Sequence, residues 1–171
     1  ITTIVKLAVE KILKKNVLVV GAGIKTGLNI RIDNPAQLGS DLVVDSVAAI
    51  VEYPAPLLIF DLGTANTVCV IDKNKNYIGG MIYPGIGVSL DSLTAHASQL
   101  GGISIEAPEH MIGKNTTECM KSGLIYSSAA AMDGIIDRLQ EHLAGEATVI
   151  ATGGPAKKIV THCRREIILD D

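Results

Sequence analysis

Aromatic residues are scarce: they make up 3% of the 171-residue chain, Trp is absent and Phe60 is the only Phe. The 15 basic residues are not gathered into one stripe. Without stacking rings or a basic track, a nucleic-acid platform is not expected. No apolar run approaches the ~20 residues that a membrane span needs, so no membrane partner is expected either. The N-terminus lacks the basic-then-apolar layout of a signal peptide. Cysteines number only 3, at Cys69, Cys119 and Cys163, with no metal-ligand spacing. An odd count in a chain of this length reads as reduced thiols and a cytoplasmic setting. Net charge is only -3 and charged residues only 19%, against 47% hydrophobic residues. That balance excludes a disordered chain. What remains for a core is Ile, Val, Leu, Ala and Met, with 17 glycines. Such a composition suits α/β layering better than an aromatic-cored β-sandwich.

The apolar periodicity of Ile4, Leu7, Ala8 and Ile12 predicts a helix ending at Lys14-Lys15-Asn16. Val17 to Val20 is a short β-branched run that reads as a buried strand, followed by the glycine-punctuated loop Gly21 to Gly27. Asp33-Asn34-Pro35 is a helix-start signal, and a helix is predicted from about Asp41 to Glu52. Pro54 and Pro56 mark a domain boundary. Beyond it, Leu57 to Phe60, Thr67 to Ile71 and Tyr77 to Tyr83 predict three strands in an antiparallel meander. Helices are predicted at Val88 to Ala97, Asn115 to Ser122 and Ser127 to Leu143. A strand at Thr148 to Ala151, Thr152-Gly153-Gly154 and a last helix follow. The chain starts at Ile1 and stops at Asp170-Asp171 after a strand-like run, so both ends read as cut.

Several motifs could carry chemistry. Gly21-Ala22-Gly23 fails as a dinucleotide fingerprint because Thr26 stands where the third Gly belongs, and Lys25-Thr26 precedes Gly27 instead of closing a phosphate loop. Asp61-Leu62-Gly63-Thr64-Ala65-Asn66-Thr67 is the strongest local signal. A carboxylate at a strand end, a glycine and hydroxyls at 64 and 67 can hold a cation and phosphate oxygens, and equally make an ordinary turn. Asp41 is either an N-cap or a general base for a substrate hydroxyl. Gly79-Gly80 is either a bulge or a place where a ligand approaches the backbone. The dispersed His96, His110, His142 and His162 read as surface residues.

In order along the chain, Lys25-Thr26-Gly27-Leu28-Asn29, Asp33-Asn34-Pro35, Leu38-Gly39-Ser40-Asp41, Asp61-Leu62-Gly63-Thr64, Gly79-Gly80 with Pro84-Gly85, Ile112-Gly113-Lys114-Asn115-Thr116, Ser122-Gly123 and Ala151-Thr152-Gly153-Gly154 resemble one family. It is type III pantothenate kinase, also known as the Bvg accessory factor family, and the residues look most like its clostridial-type members. The resemblance implies an α/β fold of the actin/sugar-kinase/Hsp70-like (RNase H-like) class. Residues 1–52 would be the C-terminal remainder of a first RNase H-like domain, and 53–171 a second one lacking its C-terminal end. It also implies ATP-dependent phosphorylation of pantothenate, the first step toward coenzyme A, with Mg-ATP, a monovalent cation (potassium or ammonium) and a homodimer. Carried over by position, Asp41 would be the general base, and Gly39, Ser40, Asp41, Leu42 and Thr116 would bind substrate. Thr64 would bind ATP and Asp61 the monovalent cation. The chain departs from the family pattern at Leu42, where an Arg is usual, at Ile32, where a Tyr is usual, and at Gly101, where a Pro is usual. The family's first phosphate loop, near the N-terminus, has no counterpart in these residues. A polypeptide of only these residues is therefore expected to be inactive. The alternatives are a non-catalytic binding or regulatory relative, and a kinase of the same superfamily acting on another small hydroxyl acid.

Overall fold

The computed structural model describes residues 1–20, 24–97, 99–143 and 145–170. The Gly21-Ala22-Gly23 segment and Asp171 lie outside the described residues. The first helix, α1 (Thr2–Leu13), forms as its periodicity predicts and stops at Lys14, which takes the left-handed conformation (φ 53°). None of its residues is buried. The strand expected at Val17 to Val20 does not form: Leu18 is 78% exposed, and Val17 N–H donates to the Glu10 carboxylate at 3.2 Å. A strand needs a neighbour for its backbone groups, and no described strand runs alongside this segment. The chain first joins the sheet at β1 (Asn29–Ile30), two residues too short to be read from periodicity.

The Asp33-Asn34-Pro35 signal opens only a short 3-10 turn, Pro35–Gln37. The helix expected next is present as α2 (Ser40–Glu52). It ends where Tyr53 turns extended (φ −122°, ψ 149°), as the residue before Pro54 must if it is to avoid the proline ring. The meander is as predicted, with longer strands: β2 (Leu57–Leu62), β3 (Ala65–Ile71) and β4 (Asn76–Pro84). After α3 (Ile86–His96), the two helices expected around Gly123 are one continuous helix, α4 (Thr116–Leu143). Its buried residues Ser122, Ile125, Ala129, Met132 and Ile136 recur every three or four positions. That stripe outweighs the ~1 kcal/mol that an internal glycine costs. β5 (Thr148–Thr152), the short α5 (Ala156–Val160) and β6 (Ile168–Leu169) complete the chain.

The six described strands form one sheet in the order β1-β4-β3-β2-β5-β6. β2, β3 and β4 are antiparallel neighbours, whereas β5 runs parallel to β2 and β6 parallel to β5. A meander extended by parallel strands through helical crossovers is a mixed α/β arrangement, the fold class expected from the sequence. Strand alternation divides the core between the two faces. On one, Leu58, Phe60, Leu62, Val68 and Val70 pack with Ile125, Met132 and Ile136 of α4. On the other, Leu57, Ile59, Cys69, Ile71 and Tyr77 pack with Ala49 of α2. His96, His110 and His142 are exposed as expected. His162 is not: it is half-buried, edge-on to the Tyr126 ring at 5.2 Å between centroids. No described helix is long and apolar enough to cross a membrane.

Candidate functional site

The α2 face of the sheet changes character at one end. Moving along β2, Leu57 and Ile59 are followed two residues later by Asp61 on the same face. Register sets Thr67 of β3 on one side of Asp61 and Thr152 of β5 on the other, so an acid between two hydroxyls crosses three strands. The apolar core thus ends in a polar row. Asp41 lies in the first turn of α2, above the same face, and Asp45 follows one turn later.

The three carboxylates share one electrostatic environment. Burial pushes the Asp61 carboxyl above its ordinary value, and the Asp41 charge adds to that. Burial does the same to Asp45, followed by the charges of Asp61 and Asp41. Asp45 was missed at the level of sequence. The signal was available, since residues i and i+4 on a helix share a face. Among the described residues, no group of three or more His, Cys, Asp or Glu is arranged to hold a metal ion.

Asp41 opens onto a cleft of about 550 Å³ lined also by Gly39, Leu42, Thr67, Gly79 and Gly80. The Thr67 hydroxyl is buried without a hydrogen-bond partner, an unmet polar group at the cleft wall. Of the two readings of the glycine pair, the bulge is present. A bulge between Val70 and Ile71 leaves the β3–β4 register shifted beside Gly79, whose φ is +144°. The pair also lines the cleft, and a side chain on Gly80 would run into the Val68 carbonyl. Below α2, the buried Ser46 hydroxyl donates to the Leu42 carbonyl at 2.7 Å.

The Asp61–Thr67 loop is held by two further glycines. Gly85 N–H donates to the Thr64 carbonyl at 3.0 Å, and a Cβ there would strike the Gly63 carbonyl. Gly153 sits at φ +94°, where a Cβ would meet the Leu62 carbonyl and come within 2.9 Å of Asp61 Oδ1. The backbone thus crowds the carboxylate and leaves Thr64 exposed at the turn. A small exposed turn with free N–H and hydroxyl donors fits phosphate oxygens.

The structure brings some of the expected site residues together and not others. Gly39, Asp41 and Leu42 line one cleft, with Asp61 close enough to act on Asp41's neighbourhood. Ser40 instead lines an adjoining cavity of about 590 Å³ with Lys25, Thr26 and Gly27. Thr116 is exposed at the start of α4 and lines a separate apolar pocket with Leu93 and Met120. That helix is capped one residue earlier, where Asn115 Oδ1 accepts from Glu118 N–H at 2.9 Å.

Comparison with known proteins places the sequence in a family. A family model described as type III pantothenate kinase matches residues 1–138. The type III pantothenate kinase of Bacillus cytotoxicus is 47% identical over 150 residues, covering 88% of this chain and 57% of that protein. That of an Exiguobacterium species is 48% identical over 145 residues, covering 85% and 57%. The chain therefore spans a little over half the length of these curated relatives. Among solved structures, a conserved Baf family protein from Campylobacter jejuni, described as a transcriptional activator, superposes with a TM-score of 0.53 at 21% identity. That match covers 85% of this chain and 63% of the other, and it shows likeness of fold.

Proposed function

The chain belongs to the type III pantothenate kinase family, and on that premise we propose that its cleft serves the ATP-dependent phosphorylation of pantothenate to 4'-phosphopantothenate, the first step of coenzyme A biosynthesis. One observation carries this reading: Asp41 and Asp61 come from separate elements to one end of the sheet, with a cleft in front of Asp41. Phosphoryl transfer needs little covalent chemistry from the protein. It needs the acceptor hydroxyl and the phosphate held in line, and a base for the hydroxyl proton.

Asp41 is the base in this reading. It takes the proton from the pantothenate hydroxyl as the γ-phosphoryl group is transferred, while Gly39, Ser40 and Leu42 shape the substrate side. Thr64 and the N–H groups of its turn hold phosphate oxygens, and Gly85 and Gly153, packed against the carbonyls of Gly63 and Leu62, fix that turn in place. Bound Mg-ATP supplies the phosphoryl donor and the metal charge that offsets the developing negative charge. Asp61 serves a monovalent cation, and Thr116 reaches pantothenate only if substrate extends to the start of α4. We assign residues 1–52 to the C-terminal remainder of a first RNase H-like domain, whose β1 and α2 pack on the sheet of the second, 53–171, and we place the chain in a homodimer. The expectation that the chain by itself is inactive gains no support from its relatives.

The test is turnover of ATP and pantothenate by the purified chain beside Asp41→Asn. Loss of a positioned general base is expected to lower kcat by about 10²–10⁴-fold with the fold unchanged. Equal rates in the two proteins would remove Asp41 from the chemistry. Nucleotide and pantothenate binding without turnover in either would favour the non-catalytic alternative.

A further inference from the structure

The wall of the cleft in front of Asp41 holds an unmet polar atom. Among the described lining residues, only Thr67 carries a buried side-chain oxygen without a hydrogen-bond partner. A hydroxyl in that state has given up its bonds to water, and at a cleft wall a ligand group can replace them. The strand pairing shows what surrounds it. On the cleft face Thr67 stands between Asp61 of β2 and Ile82 of β4, and Ile82 has no polar atom to offer. The next pair on that face is Cys69 with Gly80, so no β4 side chain fills the space beside Thr67. That opening is built into the backbone, because a Cβ on Gly80 would run into the Val68 carbonyl and crowd the Tyr77 hydroxyl. Asp41 and Leu42 reach the same cleft from α2. One space thus holds a carboxylate, a free hydroxyl, and the aliphatic groups of Leu42 and Ile82. This set suits a diol whose two hydroxyls flank a branched aliphatic carbon, which is the shape of the pantoyl end of pantothenate.

We propose that Thr67 holds the secondary hydroxyl of the acceptor while the primary hydroxyl faces Asp41, so that Thr67 sets the preference for a diol over a simple alcohol. The inference rests on the kinase reading for the identity of the acceptor. A hydroxyl both donates and accepts, so Thr67 can pair with a second hydroxyl in either sense. Holding the acceptor at two points also orients its primary hydroxyl for in-line transfer. An analogue without the secondary hydroxyl would leave Thr67 unpaired, and an unpaired buried group is what makes such a site selective.

Isothermal titration calorimetry tests it without turnover. The purified chain, Thr67→Val and Thr67→Ser are each titrated with pantothenate and with the analogue that lacks the secondary hydroxyl. The unaltered chain is expected to bind pantothenate about tenfold more tightly than the analogue. Thr67→Val keeps the volume and removes the hydroxyl. It should bind pantothenate about tenfold more weakly and the analogue as before, so that the preference disappears. Thr67→Ser restores the hydroxyl and should restore the preference. Thr67→Val should also melt no lower than the unaltered chain, since the hydroxyl it removes has no partner to lose. A structural role for Thr67 would weaken both ligands together, and that result overturns the proposal. So does a preference that survives Thr67→Val. Equal binding of the two ligands to the unaltered chain, or binding of neither, overturns it with no variant needed. A separate phosphate-transfer assay keeps the two readings apart. Equally fast transfer to pantothenate and to the analogue removes this inference and leaves the kinase reading. The Thr67-dependent binding ratio without phosphate transfer does the reverse.

Discussion

The two faces of the sheet are built from the same strands and do different work. Along β2 the α4 face is apolar throughout, with Leu58, Phe60 and Leu62 all fully buried. The α2 face begins in the same way with Leu57 and Ile59, then gives way to Asp61 between Thr67 and Thr152. One face spends its whole length on exclusion of water. The other gives way to a polar row at Asp61. Because side chains alternate, a single strand can do both, and a change at one residue should be felt on one face.

The largest expected effect is on the aliphatic face. Phe60→Ala removes a fully buried ring, and should cost about 3–5 kcal/mol, read as a fall in the denaturant midpoint. If it instead left the midpoint unchanged, the α4 face would not be the stabilising one. Gly153→Ala strikes the other face. Its φ of +94° and the Asp61 carboxylate leave no room for a methyl group, so about 1–3 kcal/mol of strain is expected. Turnover should fall as well, since the Leu62 carbonyl and the Asp61 carboxylate both have to shift; unchanged turnover in the folded variant would make the glycine merely structural.

Asp45→Asn should move stability the other way. Burial first, and then the charges of Asp61 and Asp41, hold its carboxyl above the ordinary value of 3.8. The folded chain therefore binds this proton more readily than the unfolded chain does. The ionised form lowers stability at neutral pH, and that loss disappears as pH falls below the ordinary value. Asparagine should thus stabilise at pH 7 by no more than about 1 kcal/mol, given solvent screening. The gain should vanish in acid, and melting curves across pH would show it; a gain that persists at low pH would exclude charge as its cause. The smallest effect belongs to neither face. Lys6 and Glu10 on exposed α1 are 3.9 Å apart, and Lys6→Ala should shift stability by under ~0.5 kcal/mol.

The meander was legible in the sequence because each strand is an unbroken apolar run closed by a polar turn. Asp72 to Asn76 is such a turn: Asp72 Oδ1 accepts from the N–H groups of Asn74 and Asn76, both at 2.8 Å. The α2 boundaries were legible for a similar reason, with Gly39 before the helix and Pro54 after it. Val17 to Val20 misled, because an apolar run states only that it could be buried. Whether a sheet edge is there to receive it is a property of the rest of the molecule. Gly123 misled in the opposite sense, since a local break signal was weighed without the stripe that α4 buries. At the candidate site, Asp41 and Asp61 were visible as motif residues. Asp45 was hidden in a helix that reads as apolar, and the separation of Thr116 from the cleft could be seen only in three dimensions.

The position of β5 sets the order in which the molecule is completed. β2, β3 and β4 are joined by short turns and can pair while the rest of the chain is still loose. β5 must return to β2 over a long loop, as the Thr148 hydroxyl does when it donates to the Pro54 carbonyl 94 residues away. Thr152 therefore reaches Asp61 only in that late step. In pulse-labelled refolding, amides of the meander should gain protection before those of β5. A nascent chain would carry Asp61 and its turn well before the strand that flanks them, so the polar row is completed late in the life of each new molecule.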